Sequence, residues 1–172
     1  MAERRGGLTF VLGGARSGKS SHAEALIGAH PAPWTYIATA QAFDDEMEER
    51  IAHHRARRDE RWRTVDAPFD LAETLDAMPE NAPVLVDCLT LWLSNLILAD
   101  GDVGEGVDRL VAILAAPRGP WFVVANEVGL GIVPENALAR RFRDEAGRLN
   151  QRVAQVADSV ILTVAGLPMV VK

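Results

Sequence analysis

The chain has 172 residues, 48% of them hydrophobic, with a formal net charge of −6. That length fits one domain with a continuous core. The negative balance disfavours broad nucleic-acid binding, and no apolar run approaches the ~20 residues of a membrane span.

Cys88 is the only cysteine, so no intrachain disulfide can form, and four histidines without a cysteine cluster argue against structural zinc. The opening residues Met1-Ala2-Glu3-Arg4-Arg5-Gly6-Gly7 lead into a strand rather than an apolar helix with a small-residue cleavage site. No export signal is expected, and a reducing cytoplasm is the expected location.

In chain order, a strand over 8–12 runs straight into Gly13-Gly14-Ala15-Arg16-Ser17-Gly18-Lys19-Ser20, a complete GxxxxGK[ST] phosphate loop, with a helix over 20–29 behind it. The glycines let backbone N–H groups wrap phosphate oxygens, Lys19 supplies charge to the β- and γ-phosphates, and Ser20 is a candidate Mg²⁺ ligand. The helix start favours anions at the same place. Arg16 either adds charge there or projects into solvent.

After the break His30-Pro31-Ala32-Pro33, a second strand covers 34–38, and a charged segment of helical composition covers 44–61. Further expectations are a strand over 62–65, a helix over 69–78, a strand over 83–87, and helices over 89–98 and 103–115. A strand over 121–125, a loop over 126–134 and a long helix over 137–156 follow. A hairpin of 159–164 and 169–171, joined through Gly166, closes the order. Alternating strands and helices predict a single α/β domain spanning 1–172, with a mostly parallel sheet and helices on both faces. Ligands in such sheets bind beyond the carboxyl ends of the strands. The phosphate loop, the segment after Ala38, Asp87 and the 126–134 loop therefore belong on one rim.

Asp87 ends an apolar strand, where phosphate-loop proteins place an acid to hold Mg²⁺. The plainer alternative is a helix N-cap or turn residue before the Leu89 helix, and Glu127, which also follows a buried strand, competes for the metal or base role. The segment from Asp44 to Arg58 starts acidic and ends basic, in keeping with the helix dipole. At ~100° per residue Met47, Ile51 and His54 share a stripe, while His53 lies about 160° from Ile51, beside Arg50 and Arg57. If Met47 and Ile51 face the core, His53 points outward. Charge pattern alone makes this a solvated helix. An outward imidazole flanked by arginines is also a reasonable nucleophile toward phosphorus. Trp34, Trp92 and Trp121 read as core residues, and His22 and His30 as structural or surface residues.

The phosphate loop, Tyr36-Ile37-Ala38-Thr39, Asp44-Asp45-Glu46-Met47 with Arg50-Ile51 and His53-His54, and Trp62-Arg63-Thr64 together resemble the bifunctional adenosylcobinamide kinase/adenosylcobinamide-phosphate guanylyltransferase family. Asn126-Glu127-Val128-Gly129, Gly131-Ile132-Val133-Pro134-Glu135-Asn136, Arg140, Phe142-Arg143-Asp144, Gly147-Arg148 and Asn150-Gln151 extend the resemblance over essentially the whole chain. It implies a RecA-like P-loop fold and two reactions of cobalamin biosynthesis. In the first, ATP or GTP phosphorylates the aminopropanol hydroxyl of adenosylcobinamide. In the second, GMP passes from GTP to adenosylcobinamide phosphate, giving adenosylcobinamide-GDP and pyrophosphate. The resemblance makes His53 the residue that carries GMP covalently. It makes Gly13 to Ser20, Ala38, Thr39, Ala40, His54, Arg55, Ala56, Arg57, Asp66 and Asp87 the nucleotide contacts, and it implies a homotrimer. Asp66 and Asp87 stand where the family more often has Glu, and Ala40 where it more often has Ser. A P-loop small-molecule kinase without nucleotidyl transfer is the alternative. Movement of the His53 helix between the two reactions is a further expectation.

Overall fold

The computed structural model describes residues 6–172, so the reading of Met1 to Arg5 lies outside the described residues. Seven strands form one sheet: β1 (Gly7–Gly13), β2 (Trp34–Ala38), β3 (Trp62–Asp66), β4 (Val84–Asp87), β5 (Pro120–Asn126), β6 (Ser159–Val164) and β7 (Leu167–Val170). Their order is β3-β2-β4-β5-β1-β6-β7, and every pairing is parallel except β6 with β7. The helices are α1 (Lys19–Ile27), α2 (Asp45–Ala56), α3 (Leu71–Asp76), α4 (Leu89–Leu98), α5 (Val103–Leu114) and α6 (Ala137–Val156).

The central strands are apolar on both faces because helices cover both. On one face Leu8 and Phe10 of β1, Val84 and Val86 of β4, and Trp121 and Val123 of β5 pack with buried residues of α3 to α6. The opposite face is smaller: Val11, Leu85, Phe122 and Val124 meet Ala23 and Ile27 of α1, with Trp34 and Tyr36 of β2 beside them. Trp34, Trp92 and Trp121 are all core residues.

Two local expectations need correcting. The 69–78 helix is shorter, Leu71–Asp76, with Phe69 exposed before it. The second strand of the hairpin starts earlier, at Leu167, after a two-residue turn in which Ala165 (φ 50°) and Gly166 (φ 79°) are both left-handed, as tight hairpins favour. The larger correction concerns α2. Asp44 Oδ1 caps it by accepting from the Met47 N–H at 2.8 Å, and acids fill its first turn. However, the helix buries no residue. Met47, Ile51 and His54 are half-buried and His53 is exposed, as the helical stripe requires, but the stripe faces a cleft rather than the core. A helix this rich in charge has too little apolar surface to form part of a core layer.

Candidate functional site

The phosphate loop spans the gap between β1 and α1. Gly18 turns it with φ 90°, Ser17 N–H donates to the Gly14 carbonyl at 3.3 Å, and Lys19 Nζ folds back onto the same carbonyl at 3.1 Å. At Gly13 a β-carbon would stand 2.2 Å from Ser17 Oγ and 2.9 Å from the Thr163 carbonyl, so only glycine fits. The β6–β7 turn backs the loop: Gly166 N–H donates to the Ser17 carbonyl at 2.8 Å. Gly13 and Ser17 are buried, Gly14 is half-buried, and Ala15 and Arg16 are exposed.

Strand register assembles the rest. Gly13 pairs with Asn126, Ala38 with Asp66 on one side and with Asp87 on the other, so the three strand ends share a rim with the loop. Above them opens a cavity of about 800 Å³. Lys19, Ser20, Ala38, Ala40, Asp66 and Asp87 line its body side, and Met47, Ile51, His54, Arg55 and Arg58 line the side formed by α2 and the turn after it. A second cavity of about 710 Å³ shares Lys19, Ser20, Arg50 and His54 with the first and adds Arg16, His53 and Arg57. His53 thus lines a chamber of mixed charge with the loop lysine, in which Lys19, Arg16, Arg50 and Arg57 outnumber Glu46 and Glu49, and its ring centre is 6.4 Å from that of His54.

Asp87 and Glu127 are no longer equivalent. Asp87 lines the large cavity with Lys19 and Ser20, offering hard oxygen donors suited to a divalent cation. Glu127 lines neither cavity and accepts the Gly129 N–H at 2.6 Å. Nor is Asp87 the cap of α4; Cys88 is, its sulfur accepting from Leu91 N–H at 3.5 Å. Burial, reinforced by the Asp87 charge, pushes the Cys88 thiol up to about 12.

Asp87 Oδ2 accepts a hydrogen bond from the Tyr36 hydroxyl at 3.0 Å. Burial first, and then the charge of Asp87, hold that hydroxyl far above the ordinary tyrosine range. The Arg58 guanidinium lies 3.7 Å over the Tyr36 ring, and Trp62 meets the ring edge-on at 6.0 Å.

Not every expected residue reaches the cleft. Thr39 is fully buried: its hydroxyl donates to the Cys88 carbonyl at 2.7 Å and accepts from Cys88 N–H at 2.9 Å, bracing β2 against β4. Asn95 supports it, donating to the Thr39 carbonyl at 2.8 Å. Ala56 is exposed and lines neither cavity, and Gly13, Gly14, Ala15 and Ser17 line neither cavity either. Arg55 lines the large cavity but is paired with Asp66. Tyr36 and Arg58 are among the cavity residues that sequence reasoning did not assign to the site. Tyr36 reads only as part of the 34–38 strand and of the Tyr36-Ile37-Ala38-Thr39 run, and Arg58 as part of a basic run, although its i+4 spacing from His54 continues the Met47–Ile51–His54 stripe.

Comparison with known proteins follows the same lines. The family described as cobinamide kinase / cobinamide phosphate guanyltransferase matches residues 9–171. The chain is 50% identical to the bifunctional adenosylcobalamin biosynthesis protein CobP of Pseudomonas aeruginosa, over 95% of this chain and 96% of that one. It is 46% identical to the protein CobU of the same description from Salmonella typhimurium (96% and 99%) and 42% identical to that of Escherichia coli (96% and 99%). Among solved structures it resembles PH0250 of Pyrococcus horikoshii (TM-score 0.56, 10% identity, 96% of this chain and 86% of that one). It also resembles the RadB recombinase (TM-score 0.51, 16% identity, 91% and 73%). Those two likenesses bear on the fold alone, which is the RecA-like phosphate-loop type.

Proposed function

The chain belongs to the cobinamide kinase / cobinamide phosphate guanyltransferase family, and from that premise we propose how its residues divide the two reactions. The enzyme is an adenosylcobinamide kinase and adenosylcobinamide-phosphate guanylyltransferase. The observation that carries the assignment of roles is that His53 shares a cavity with Lys19 and Ser20 of the phosphate loop.

In the kinase step the substrate hydroxyl oxygen attacks the γ-phosphorus of ATP or GTP, the bond to the β–γ bridging oxygen breaks, and the nucleoside diphosphate leaves. Catalysis here is alignment and charge. Lys19 neutralises the departing phosphates, and Asp87 accepts the hydroxyl proton or holds the cation. In the second step a ring nitrogen of His53 attacks the α-phosphorus of GTP, an N–P bond forms and pyrophosphate departs. An oxygen of adenosylcobinamide phosphate then displaces the histidine, and GMP ends on the substrate phosphate. Arg16, Arg50 and Arg57, around the same chamber, bind the phosphate charge.

Ser20 and Asp87 fit Mg²⁺, which takes one or two protein oxygens and fills its shell from phosphates and water. When bound, the ion supplies charge neutralisation to the transferring phosphates. Ala38, Ala40, His54, Arg55 and Asp66 complete the nucleotide seat, and the whole of residues 1–172 works as one domain. The same reading makes the protein a cytoplasmic homotrimer. Exposed Leu130, Ile132, Leu167 and Val170 support an intersubunit contact, and no described helix is long and apolar enough to cross a membrane.

The test is to incubate the protein with Mg²⁺ and α-³²P-GTP, denature it, and compare retained label in wild type and His53→Ala. Label stable to alkali, released by mild acid and absent from the variant is expected. No label in folded, GTP-binding wild type would leave a simple kinase.

A further inference from the structure

Tyr36 is buried in the middle of β2, yet its hydroxyl reaches the cleft rim and donates to Asp87 Oδ2 at 3.0 Å. Strand alternation explains the reach. Trp34, Tyr36 and Ala38 point to the α1 face of the sheet, as do Leu85 and Asp87 of β4, and Tyr36 pairs with Leu85, so ring and carboxylate lie on one side of adjacent strands. The ring is fixed in turn, with Trp62 against it edge-on and the Arg58 guanidinium stacked on it. One carboxylate oxygen is thereby committed to a donor of fixed direction, while Asp87 still lines the cavity beside Lys19 and Ser20.

We infer that Tyr36 is a positioning residue for Asp87: held between Trp62 and Arg58, it anchors one carboxylate oxygen and aims the other at the cation and phosphates of the bound nucleotide. This rests on the metal-site role given to Asp87 above. A carboxylate at a strand end rotates freely about its terminal torsion unless something fixes it. Partners that fix ligand carboxylates govern metal affinity although they touch no metal. Burying a tyrosine hydroxyl also requires a partner, and Asp87 is the partner it has.

Tyr36→Phe removes the donor and keeps the ring, its edge contact and its stack, so folding is preserved. The experiment is a double-mutant cycle of Tyr36→Phe, Asp87→Asn and the pair. Mn²⁺ affinity of the protein–GTP complex is read by electron paramagnetic resonance, and kinase kcat and KM are measured alongside. Tyr36→Phe is expected to weaken Mn²⁺ binding about tenfold, the low end for such partners, and to lower kcat more than it raises the KM for GTP. In the Asp87→Asn background it is expected to add nothing. A wild-type Mn²⁺ affinity in Tyr36→Phe, or a loss that simply adds to that of Asp87→Asn, overturns the positioning role and leaves the Asp87 assignment standing. An Asp87→Asn protein that binds Mn²⁺ as tightly as wild type overturns both.

Discussion

One guanidinium nitrogen of Arg55 bonds both carboxylate oxygens of Asp66, at 2.9 and 3.0 Å, tying the last turn of α2 to the end of edge strand β3. The two side chains are 51% and 62% exposed, and a pair so open to water contributes at most about 1 kcal/mol. Arg55→Ala is therefore expected to change the unfolding free energy in urea by less than about 1 kcal/mol. If both residues serve the nucleotide, the same variant raises the KM for GTP about tenfold, the worth of one charge-assisted hydrogen bond. A stability loss with unchanged KM would make the pair purely structural.

Lys19 lines both cavities and His53 only one. Lys19→Met is expected to lower the kinase and guanylyltransferase rates alike, each by about a hundredfold or more, as removal of a preorganised charge from a transition state does. His53→Ala is expected to abolish guanylyl transfer and leave phosphorylation of adenosylcobinamide within a few-fold of wild type. Separate assays of the two products decide it, and equal loss of both reactions in His53→Ala would place the histidine in the kinase step.

Adjacent glycines of the loop differ sharply. A β-carbon on Gly13 collides with Ser17 Oγ and the Thr163 carbonyl, whereas one on Gly14 meets nothing within 4 Å. Gly13→Ala is expected to weaken fluorescent-GTP binding more than about tenfold, because the backbone itself must shift. Gly14→Ala is expected to stay within about threefold. Equal behaviour of the two variants would mean that the loop accommodates the clash.

The thiol of Cys88 is pushed up to about 12 by burial and by the neighbouring Asp87 charge, above its value in the unfolded chain. Raised pKa means stability that is fully present below the unfolded pKa and is lost as pH rises from there toward the folded value. Stability is therefore expected to fall above about pH 8.5, and Cys88→Ala to flatten that fall in urea melts taken from pH 7 to 10. The folded protein is also expected to resist disulfide reagents at pH 8, reacting only on unfolding. Prompt labelling of the native thiol would contradict its burial.

What the sequence disclosed was mainly local. The loop is legible because its glycines, Lys19 and Ser20 are contiguous, and the bounds of β2, α4 and α6 agree with apolar runs and helical periodicity read directly. The α2 stripe was legible too, with His53 outside and His54 half-covered, but a helical wheel tells which side is covered and not what covers it. What escaped depends on distant partners. Thr39 turns inward because the Cys88 backbone satisfies its hydroxyl, 49 residues away in the chain. Asp87 is separated from Glu127 only by which carboxylate the register and the Gly129 N–H leave at the cleft. Tyr36 looks like any strand aromatic until Asp87 and Arg58 are placed beside it.

Because β1 lies between β5 and β6, the strand that leads into the phosphate loop is separated in the chain from both of its sheet neighbours by all of the strands and helices up to β5. Gly13 finds its neighbours only in Asn126 and Thr163, and Ser17 finds its backbone donor only in Gly166. Emergence from the ribosome therefore delivers the nucleotide-binding sequence long before the strands that shape it. Such long-range pairing makes for slow, late closure of the sheet. A chain ending before β6 would hold the complete GxxxxGK[ST] sequence without Thr163 and Gly166, which back the loop in the fold.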